Sequence, residues 1–157
     1  MVFFNSNSRL SSINSQVILA QTDTTVGFLS QNQTKLQEIK SRDTSKPFIV
    51  VYQDFKTFST LGHRVPNSKK SLIRRSKKTT FIVNGVAFRV ANHKSSSHLL
   101  RGLKWSYSTS ANKSGKNFDR NFCESKADII IENKDGLREE SSSSLYKLNS
   151  KKIKRLR

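Results

Sequence analysis

The chain has 157 residues, with 29 Lys and Arg against 11 Asp and Glu, and a formal net charge of +18. Apolar residues make up 34% of it and are spread along its whole length, which excludes a fully disordered chain and allows one domain with a sizeable core. A single cysteine, Cys123, excludes an intramolecular disulfide and is typical of a reducing compartment. The start lacks a signal-peptide pattern and no apolar run reaches membrane-spanning length, so we expect a cytoplasmic protein without a membrane partner.

Strand-like and helix-like segments alternate along the chain. In order, the pattern predicts a strand at 17–20, a helix at 34–41, a strand at 48–52, short helices around 55–61 and 72–73, a hairpin of strands 79–83 and 86–90, a helix at 95–103, a strand at 105–108, a helix at 118–123 and a strand at 127–132. The pair Asn84-Gly85 predicts the tight turn of the hairpin. The alternation predicts an α/β fold, a single domain with a twisted mixed sheet and flanking helices. We expect it to span residues 1–150, followed by a disordered basic tail at 151–157.

The positive charge is concentrated in the middle of the chain. Between Phe55 and Phe118 there is no Asp or Glu, whereas the same stretch carries fourteen Lys and Arg. A solvated surface accounts for any one of these side chains, but an acid-free stretch of this length favours a polyanionic partner. A non-catalytic basic RNA-binding protein is one function compatible with this pattern, and contact with tRNA or double-stranded RNA is expected of it.

Several chemistries are not supported by the motifs. The six glycines are too far apart for a dinucleotide-binding fingerprint or a P-loop. The spacing of the three histidines and the cysteine is not that of a zinc site, so no protein-held metal is predicted.

Residues 108–112, Ser-Thr-Ser-Ala-Asn, follow a strand-like run and precede Lys113 and Lys116. Hydroxyls and an amide at the end of a strand, backed by cations, are suited to an anion. An ordinary turn with self-capping hydroxyls is the alternative for this motif alone.

Other motifs precede and follow this run along the chain. In chain order, the whole set is 17–27 with its Thr22-Asp23-Thr24 turn, Lys40-Ser41-Arg42 with Lys46-Pro47, Phe88-Arg89-Val90, the run at 108–112, Ala127 to Ile131 and Ser143-Ser144-Leu145. Together they resemble the YrdC family, whose Ser-Thr-Ser-Ala-Asn motif is matched letter for letter. The chain departs from the family pattern at Gln21, where a proline is usual, and at Val26, where an aromatic residue is usual.

The resemblance implies a concave basic face and the synthesis of threonylcarbamoyl-AMP from L-threonine, bicarbonate and ATP, with release of pyrophosphate. Partner proteins would then transfer the threonylcarbamoyl group to a tRNA adenosine. Mg²⁺ would bridge the phosphates of ATP instead of sitting in a protein cage.

The resemblance also assigns roles to residues. Lys40 and Arg42 would be the catalytic cations that bring two anionic reactants together. The ATP-binding residues would be Lys46, Arg89, Ser108, Ser110 and Asn112. The threonine-binding residues would be Thr22, Thr24 and Ser143. Asp23 would bind the substrate ammonium or a neighbouring cation.

Overall fold

The computed structural model describes residues 13–41, 47–91 and 102–157, and the backbone of residues 2–4. In this part of the chain ten strands form one sheet in the order β1-β8-β2-β3-β7-β4-β6-β5-β9-β10. They are β1 (Val2–Phe4), β2 (Ile18–Gln21), β3 (Val26–Ser30), β4 (Ile49–Tyr52), β5 (Thr79–Val83), β6 (Val86–Val90), β7 (Trp105–Ser110), β8 (Ile129–Ile131), β9 (Ser144–Leu148) and β10 (Ile153–Arg155). The pairs β2–β8, β4–β6 and β5–β9 are parallel and the other neighbours antiparallel, so the predicted mixed α/β sheet is confirmed.

The described α-helices are short, and three of the four are capped by a side chain at the N-terminus. They are α1 (Gln33–Lys40), α2 (Phe55–Thr60), α3 (Lys70–Arg75) and α4 (Arg120–Lys126). Asn32, Asp54 and Asp119 precede α1, α2 and α4, and each side chain accepts from a backbone N–H of the first turn, which would otherwise lack a partner. The helix predicted at 95–103 lies outside the described residues except for its last two positions.

The described helices cover one face of the sheet. Leu36 of α1 and Cys123 of α4 pack in one buried cluster, and Phe58 of α2 and Ile73 of α3 in another. Phe58 stacks on Phe88 of β6 with ring centroids 4.5 Å apart. Successive side chains of a strand point to opposite faces, so the residue after Phe88 points away from the helices. By the same alternation, every second side chain of β3, β4, β6 and β7 lies on the other face of the sheet.

The structure differs from the predicted elements mainly at the strands. The Asn84-Gly85 hairpin is confirmed, with positive φ at both residues (49° and 81°). β1, β3, β9 and β10 were not predicted. The expectation of a disordered tail is wrong for Ile153–Arg155, because this segment pairs with β9 as the edge strand of the sheet.

Two kinds of feature are absent from the part of the chain that the structure describes. None of its helices is long and apolar enough to cross a membrane. No group of three or more His, Cys, Asp or Glu side chains within it could hold a metal ion.

Candidate active site

A cavity of about 260 Å³ opens on the face of the sheet opposite the helices. Strands β3, β4, β6 and β7 form its floor, and the segment before β9 and the end of the chain form a wall. The lining residues are Thr22, Thr24, Thr25, Gly27, Pro47, Ile49, Arg89, Ser108, Thr109, Ser110, Ser142, Ser143 and Arg157. Hydroxyl groups and two guanidinium groups therefore dominate its polar surface.

Arg89 is the buried cation of this cavity, with 4% of its surface exposed. Its Nη1 donates to Thr24 Oγ1 at 2.8 Å, and its Nε lies 3.3 Å from Asp23 Oδ1 in an ion pair. Burial lowers the pKa of Arg89 from its ordinary value, and the charge of Asp23 opposes that shift. The guanidinium remains a cation at neutral pH, since arginine is not deprotonated in proteins.

Part of this ion pair has no hydrogen-bond partner. The 3.3 Å approach of Arg89 Nε to Asp23 lacks hydrogen-bond geometry, and within the described residues Arg89 Nε, Asp23 Oδ2 and Gln21 Nε2 are buried without a partner. Buried polar groups are rarely left in this state, because each costs about 1–3 kcal/mol. Beside the cavity, these buried groups therefore have hydrogen-bonding capacity beyond what they use among themselves.

The threonines that precede β3 form a closed turn. Thr22 Oγ1 donates to the Thr25 carbonyl at 2.7 Å and lies 3.1 Å from Thr24 Oγ1. The backbone N–H of Thr24 donates to the same Thr22 oxygen at 3.2 Å. The side chains of Thr22 and Thr24 thus reach the cavity together, because a bend at residues 23–25 brings them there.

Strand β7 contributes hydroxyls from alternate positions. Ser108 and Ser110 share the cavity face of the strand and pair with Leu29 and Gly27 of β3. A Cβ at Gly27 would lie 3.0 Å from the Thr109 carbonyl oxygen. Glycine therefore allows β3 and β7 to approach each other beneath the cavity.

Lys40 lies beside this strand end and outside the cavity lining. Its buried ammonium donates to the Ser110 carbonyl at 3.1 Å, to the Asn112 carbonyl at 2.7 Å and to Asn112 Oδ1. Ser110 Oγ also donates to Asn112 Oδ1 at 2.8 Å, and the Asn112 amide nitrogen donates to the Lys116 carbonyl. The last residue of α1 thus fixes the loop that follows β7.

Another wall of the cavity is formed by the segment before β9 and by Arg157. Ser143 is buried, its Oγ lies 2.9 Å from Thr80 Oγ1, and its carbonyl accepts from Arg157 Nε at 3.1 Å. Within the serine run, Ser142 and Ser143 line the cavity. Arg157 adds a second guanidinium at its rim.

Most of the predicted site residues converge. The structure places Thr22, Thr24, Arg89, Ser108, Ser110 and Ser143 around one cavity, with Lys40 and Asn112 joined at its margin. The predicted Arg42 and Lys46 lie outside the described residues. Sequence reasoning missed the other lining residues, which are Thr25, Gly27, Pro47, Ile49, Thr109, Ser142 and Arg157. For Arg157 no signal was available, since a cationic chain end is typical of a solvated tail.

A family model matches residues 13–157 of the chain, that of the Sua5, YciO and YrdC proteins, which is described as telomere recombination. This chain belongs to the Sua5/YciO/YrdC family. The resemblance noted in the sequence is thereby confirmed. No curated protein sequence matches the chain.

Solved structures of Sua5, YciO and HypF share the fold. P. abyssi Sua5 complexed with L-threonine has a TM-score of 0.71 and 21% identity, with 90% of this chain and 50% of that chain covered. E. coli YciO has a TM-score of 0.73 and 18% identity, covering 91% of this chain and 82% of that one. Full-length HypF in its phosphate- and nucleotide-bound form has a TM-score of 0.71 and 13% identity, covering 100% of this chain and 25% of HypF. The present chain spans about half the length of the Sua5 chains.

Proposed function

We propose that the protein is a threonylcarbamoyl-AMP synthase, which condenses L-threonine, bicarbonate and ATP and releases pyrophosphate for the formation of threonylcarbamoyladenosine in tRNA. The family supports a transferase role in tRNA modification, and the Sua5 relative was solved with L-threonine. The observation that carries the proposal is the convergence of the buried Arg89 with hydroxyls from the threonine turn and β7 in one cavity.

The reaction joins two anions. The threonine amine attacks the carbon of bicarbonate, a C–N bond forms and water is lost, which leaves a carbamate. A carbamate oxygen then attacks the α-phosphorus of ATP, the bond from that phosphorus to the bridging oxygen breaks, and pyrophosphate leaves with the electron pair. A fixed cation in a site of low dielectric lowers the repulsion between carbamate and phosphate without reorganising during the reaction.

Arg89 is the described residue best suited to that task. Its position on β6 is fixed by the bond to Thr24, and its burial strengthens its interaction with an anion. We assign the threonine substrate to the side of the cavity formed by Thr22, Thr24 and Ser143, whose hydroxyls can bind its hydroxyl and carboxylate. Ser108 and Ser110 would donate to phosphate oxygens, at about 1.5–3 kcal/mol for each hydrogen bond to a charged group.

Lys40 and Asn112 would form the second charged element of the site. Their mutual bonds hold the loop after β7, so Lys40 would bring positive charge to the edge where the triphosphate enters. Arg42 and Lys46 keep the catalytic and ATP-binding roles that the resemblance implies. The cavity, about 260 Å³, lies just below the usual range of ligand pockets, roughly 300–1,000 Å³, so the adenosine would extend beyond it.

Mg²⁺ would enter with the nucleotide. The described residues that line the cavity include no carboxylate, and the nearby Asp23 is paired with Arg89, so the donor set does not suit a protein-held cation. A Mg²⁺ ion carried by the triphosphate would neutralise charge on its oxygens. Transfer of the threonylcarbamoyl group to tRNA would be the task of partner proteins.

Pyrophosphate release tests the proposal. Release is expected only when ATP, threonine and bicarbonate are all present, and omission of any one should abolish it. Ser108→Ala should raise the KM for ATP about tenfold or more, since 1.4 kcal/mol corresponds to a factor of ten. Ser106→Ala is the matched control, because Ser106 lies two residues earlier on the same face of β7 but does not line the cavity.

Non-catalytic RNA binding is the second candidate function. It is favoured by the net charge of +18 and by the acid-free stretch between Phe55 and Phe118. It predicts binding of RNA with no release of pyrophosphate under any combination of substrates, so the same assay separates the two functions.

A further inference from the structure

The chain between β8 and β9, residues 132–143, contains no helix or strand, and we call it the connecting segment. It runs from one side of the sheet to the other, since six strands lie between β8 and β9. Its last two residues, Ser142 and Ser143, line the cavity. The position of the connecting segment therefore decides where one wall of the cavity lies.

Hydrogen bonds fasten the connecting segment to the hairpin of β2 and β3. Gln21 and Val26 are the strand partners nearest the turn of that hairpin, and Arg138 is bonded to both. The Arg138 N–H donates to Gln21 Oε1 at 3.0 Å, and the Arg138 carbonyl accepts from the Val26 N–H at 3.1 Å. Two residues later, the Glu140 N–H donates to Thr25 Oγ1 at 3.1 Å. The threonine turn and the cavity wall are thus parts of one bonded unit.

The far end of the connecting segment is fastened separately, to β5. Ser143 Oγ lies 2.9 Å from Thr80 Oγ1 of that strand. From Glu140 to Ser143 the chain advances by three residues, which span at most about 11 Å. Because this span is short, a shift of the segment at the threonine turn has to be taken up at Ser142 and Ser143.

The side chain of Gln21 supplies its bond to Arg138 at a cost. A backbone N–H can bond only the oxygen of a carboxamide, so the bond to Arg138 fixes the orientation of the amide. The nitrogen Nε2 is then buried without a partner within the described residues, a state that is rare in folded proteins. A proline, which is usual at this position in the family, has no side-chain acceptor. The bond to Arg138 is therefore a feature of this chain's own sequence.

The charged side chains of the connecting segment do not replace that bond. Glu140 pairs with Lys78 at 2.8 Å and with Arg138 at 2.9 Å, and the side chains of Lys78 and Arg138 are about half exposed. Ion pairs of exposed side chains contribute little to stability. The pair of Arg138 with Glu140 also lies within the segment, so it does not connect the segment to the hairpin. The bonds at Gln21, Val26 and Thr25 therefore carry the polar connection with the threonine turn.

We propose that Gln21 is a positioning residue for the amino-acid substrate: through Arg138 it holds the serine wall at the distance from Thr22 and Thr24 that threonine requires. Gln21 has this role only if threonine occupies that side of the cavity, as in the function proposed above. Gln21 does not line the cavity, so it acts through the connecting segment and does not touch the substrate. Loss of its amide oxygen should weaken the binding of threonine and leave the binding of ATP, on the β7 side, nearly unchanged.

The test compares the same substitution at two glutamines. Gln21→Leu removes the acceptor, and titration calorimetry with L-threonine alone should give a Kd about fivefold higher than that of wild type, the effect of losing one hydrogen bond. The Kd for ATP should change by less than about twofold. Gln31→Leu is the matched control, because Gln31 follows β3 at its other end and its Nε2 donates to the carbonyls of Leu103 and Trp105 at 3.0 and 2.9 Å. It loses bonds of the same kind outside the cavity lining and should keep the wild-type Kd for threonine.

Hydrogen exchange of the wild type gives a second measurement that needs no variant. A ligand and the bonds on which its binding depends stabilise each other, so saturating L-threonine should slow exchange of the Arg138 and Glu140 amides by about fivefold. The Gln53 amide donates to the Lys104 carbonyl at 2.9 Å and does not line the cavity, so it should exchange at the same rate with and without threonine. Unchanged exchange at Arg138 would overturn the proposed role.

Three results of the titrations would also overturn it. One is an equal loss of threonine affinity in Gln21→Leu and Gln31→Leu, because a general loosening of the sheet would explain both. The others are an unchanged Kd in Gln21→Leu and wild-type protein that binds no threonine. Failure of the synthase stays distinguishable, since threonine is titrated without ATP or bicarbonate. Wild-type protein that binds threonine, loses that affinity in Gln21→Leu and releases no pyrophosphate would refute the synthase and support the role of Gln21.

Discussion

Arg89 and Thr24, 65 residues apart in the sequence, are joined by a buried hydrogen bond of 2.8 Å from Nη1 to Oγ1. This bond connects β6 to the turn between β2 and β3, two parts of the sheet separated by β4 and β7. It fixes a cation beside the hydroxyls of the cavity. Asp23, which precedes Thr24 in that turn, forms an ion pair with Arg89 and so joins β6 to the same turn a second time.

The Asp23–Arg89 pair should be energetically coupled. Arg89→Met leaves a buried carboxylate without its counter-charge and should lower the free energy of unfolding by about 3 kcal/mol. Asp23→Asn should also destabilise, and the double variant should lose less than the sum of the two, by roughly 0.5–3 kcal/mol. Urea unfolding of the four proteins measures this coupling. Strictly additive losses would show that the pair contributes nothing as a pair.

Gly27→Ala should disturb both the sheet and the cavity. The new Cβ would meet the Thr109 carbonyl at 3.0 Å and Thr22 Cγ2 at 3.2 Å. Overpacking of this kind costs about 1–3 kcal/mol, so the urea midpoint and threonine-dependent turnover should both fall. Gly102→Ala is the control, because a Cβ there meets nothing within 4 Å. Equal stability of the two variants would contradict the close approach of β3 and β7.

Much of the fold could be predicted from local signals. The run at 17–20 is strongly apolar, and Asn84-Gly85 has the composition that a tight hairpin requires. The strands β9 and β10 could not be predicted, because the apolar residues of Ser-Leu-Tyr-Lys-Leu do not alternate regularly with polar ones and Ile-Lys-Arg has a single apolar residue. Their strand conformation depends on pairing with β5 and with each other, which is tertiary context.

The candidate site was predictable to a similar extent. Residues that stand in a compact motif, such as Ser108 and Thr22, could be found in the sequence. The bond of Arg89 to Thr24 and the position of Arg157 depend on strand order, so no local pattern indicates them. The close approach at Gly27 likewise becomes visible only when β3 is paired with β7.

Lys40→Met should abolish turnover, because the loop after β7 would lose the bonds that hold it in place. The variant removes the bonds from the ammonium to Ser110 and Asn112, which hold that loop. We expect kcat/KM to fall at least a hundredfold, with the fold retained as judged by circular dichroism. Lys113→Met, an exposed position of the same loop, is the control and should keep more than half of the wild-type turnover. Turnover of Lys40→Met close to that of wild type would remove Lys40 from the site.

Acid should destabilise the protein through two carboxylates. Hydrogen bonds from Arg120 lower the pKa of Glu132, and a hydrogen bond from Lys78 with a further one from Arg138 lowers the pKa of Glu140. In the unfolded chain both groups regain their ordinary pKa, so the unfolded state binds more protons as pH falls. Their stabilising contribution is thus complete above the ordinary glutamate pKa of about 4.5 and is lost as pH falls through the lower, folded values.

Urea midpoints measured between pH 7 and pH 3 check this dependence. The variant E132Q/E140Q should lose less stability than wild type over that range, whereas Glu38→Gln, at an exposed position of α1, should follow wild type. A urea midpoint of the wild type that rises as the pH falls would contradict the predicted loss of stability in acid.

Incorporation of ¹³C from labelled bicarbonate into an adenylate is the most direct test of the proposed synthase. With ATP and threonine present, mass spectrometry should detect threonylcarbamoyl-AMP one mass unit heavier than the unlabelled product, formed in equal amount to the pyrophosphate released. Arg89→Met should reduce both together. Pyrophosphate released without a labelled adenylate, or formation of ADP and inorganic phosphate instead, would contradict the assignment of this cavity to threonine, bicarbonate and ATP.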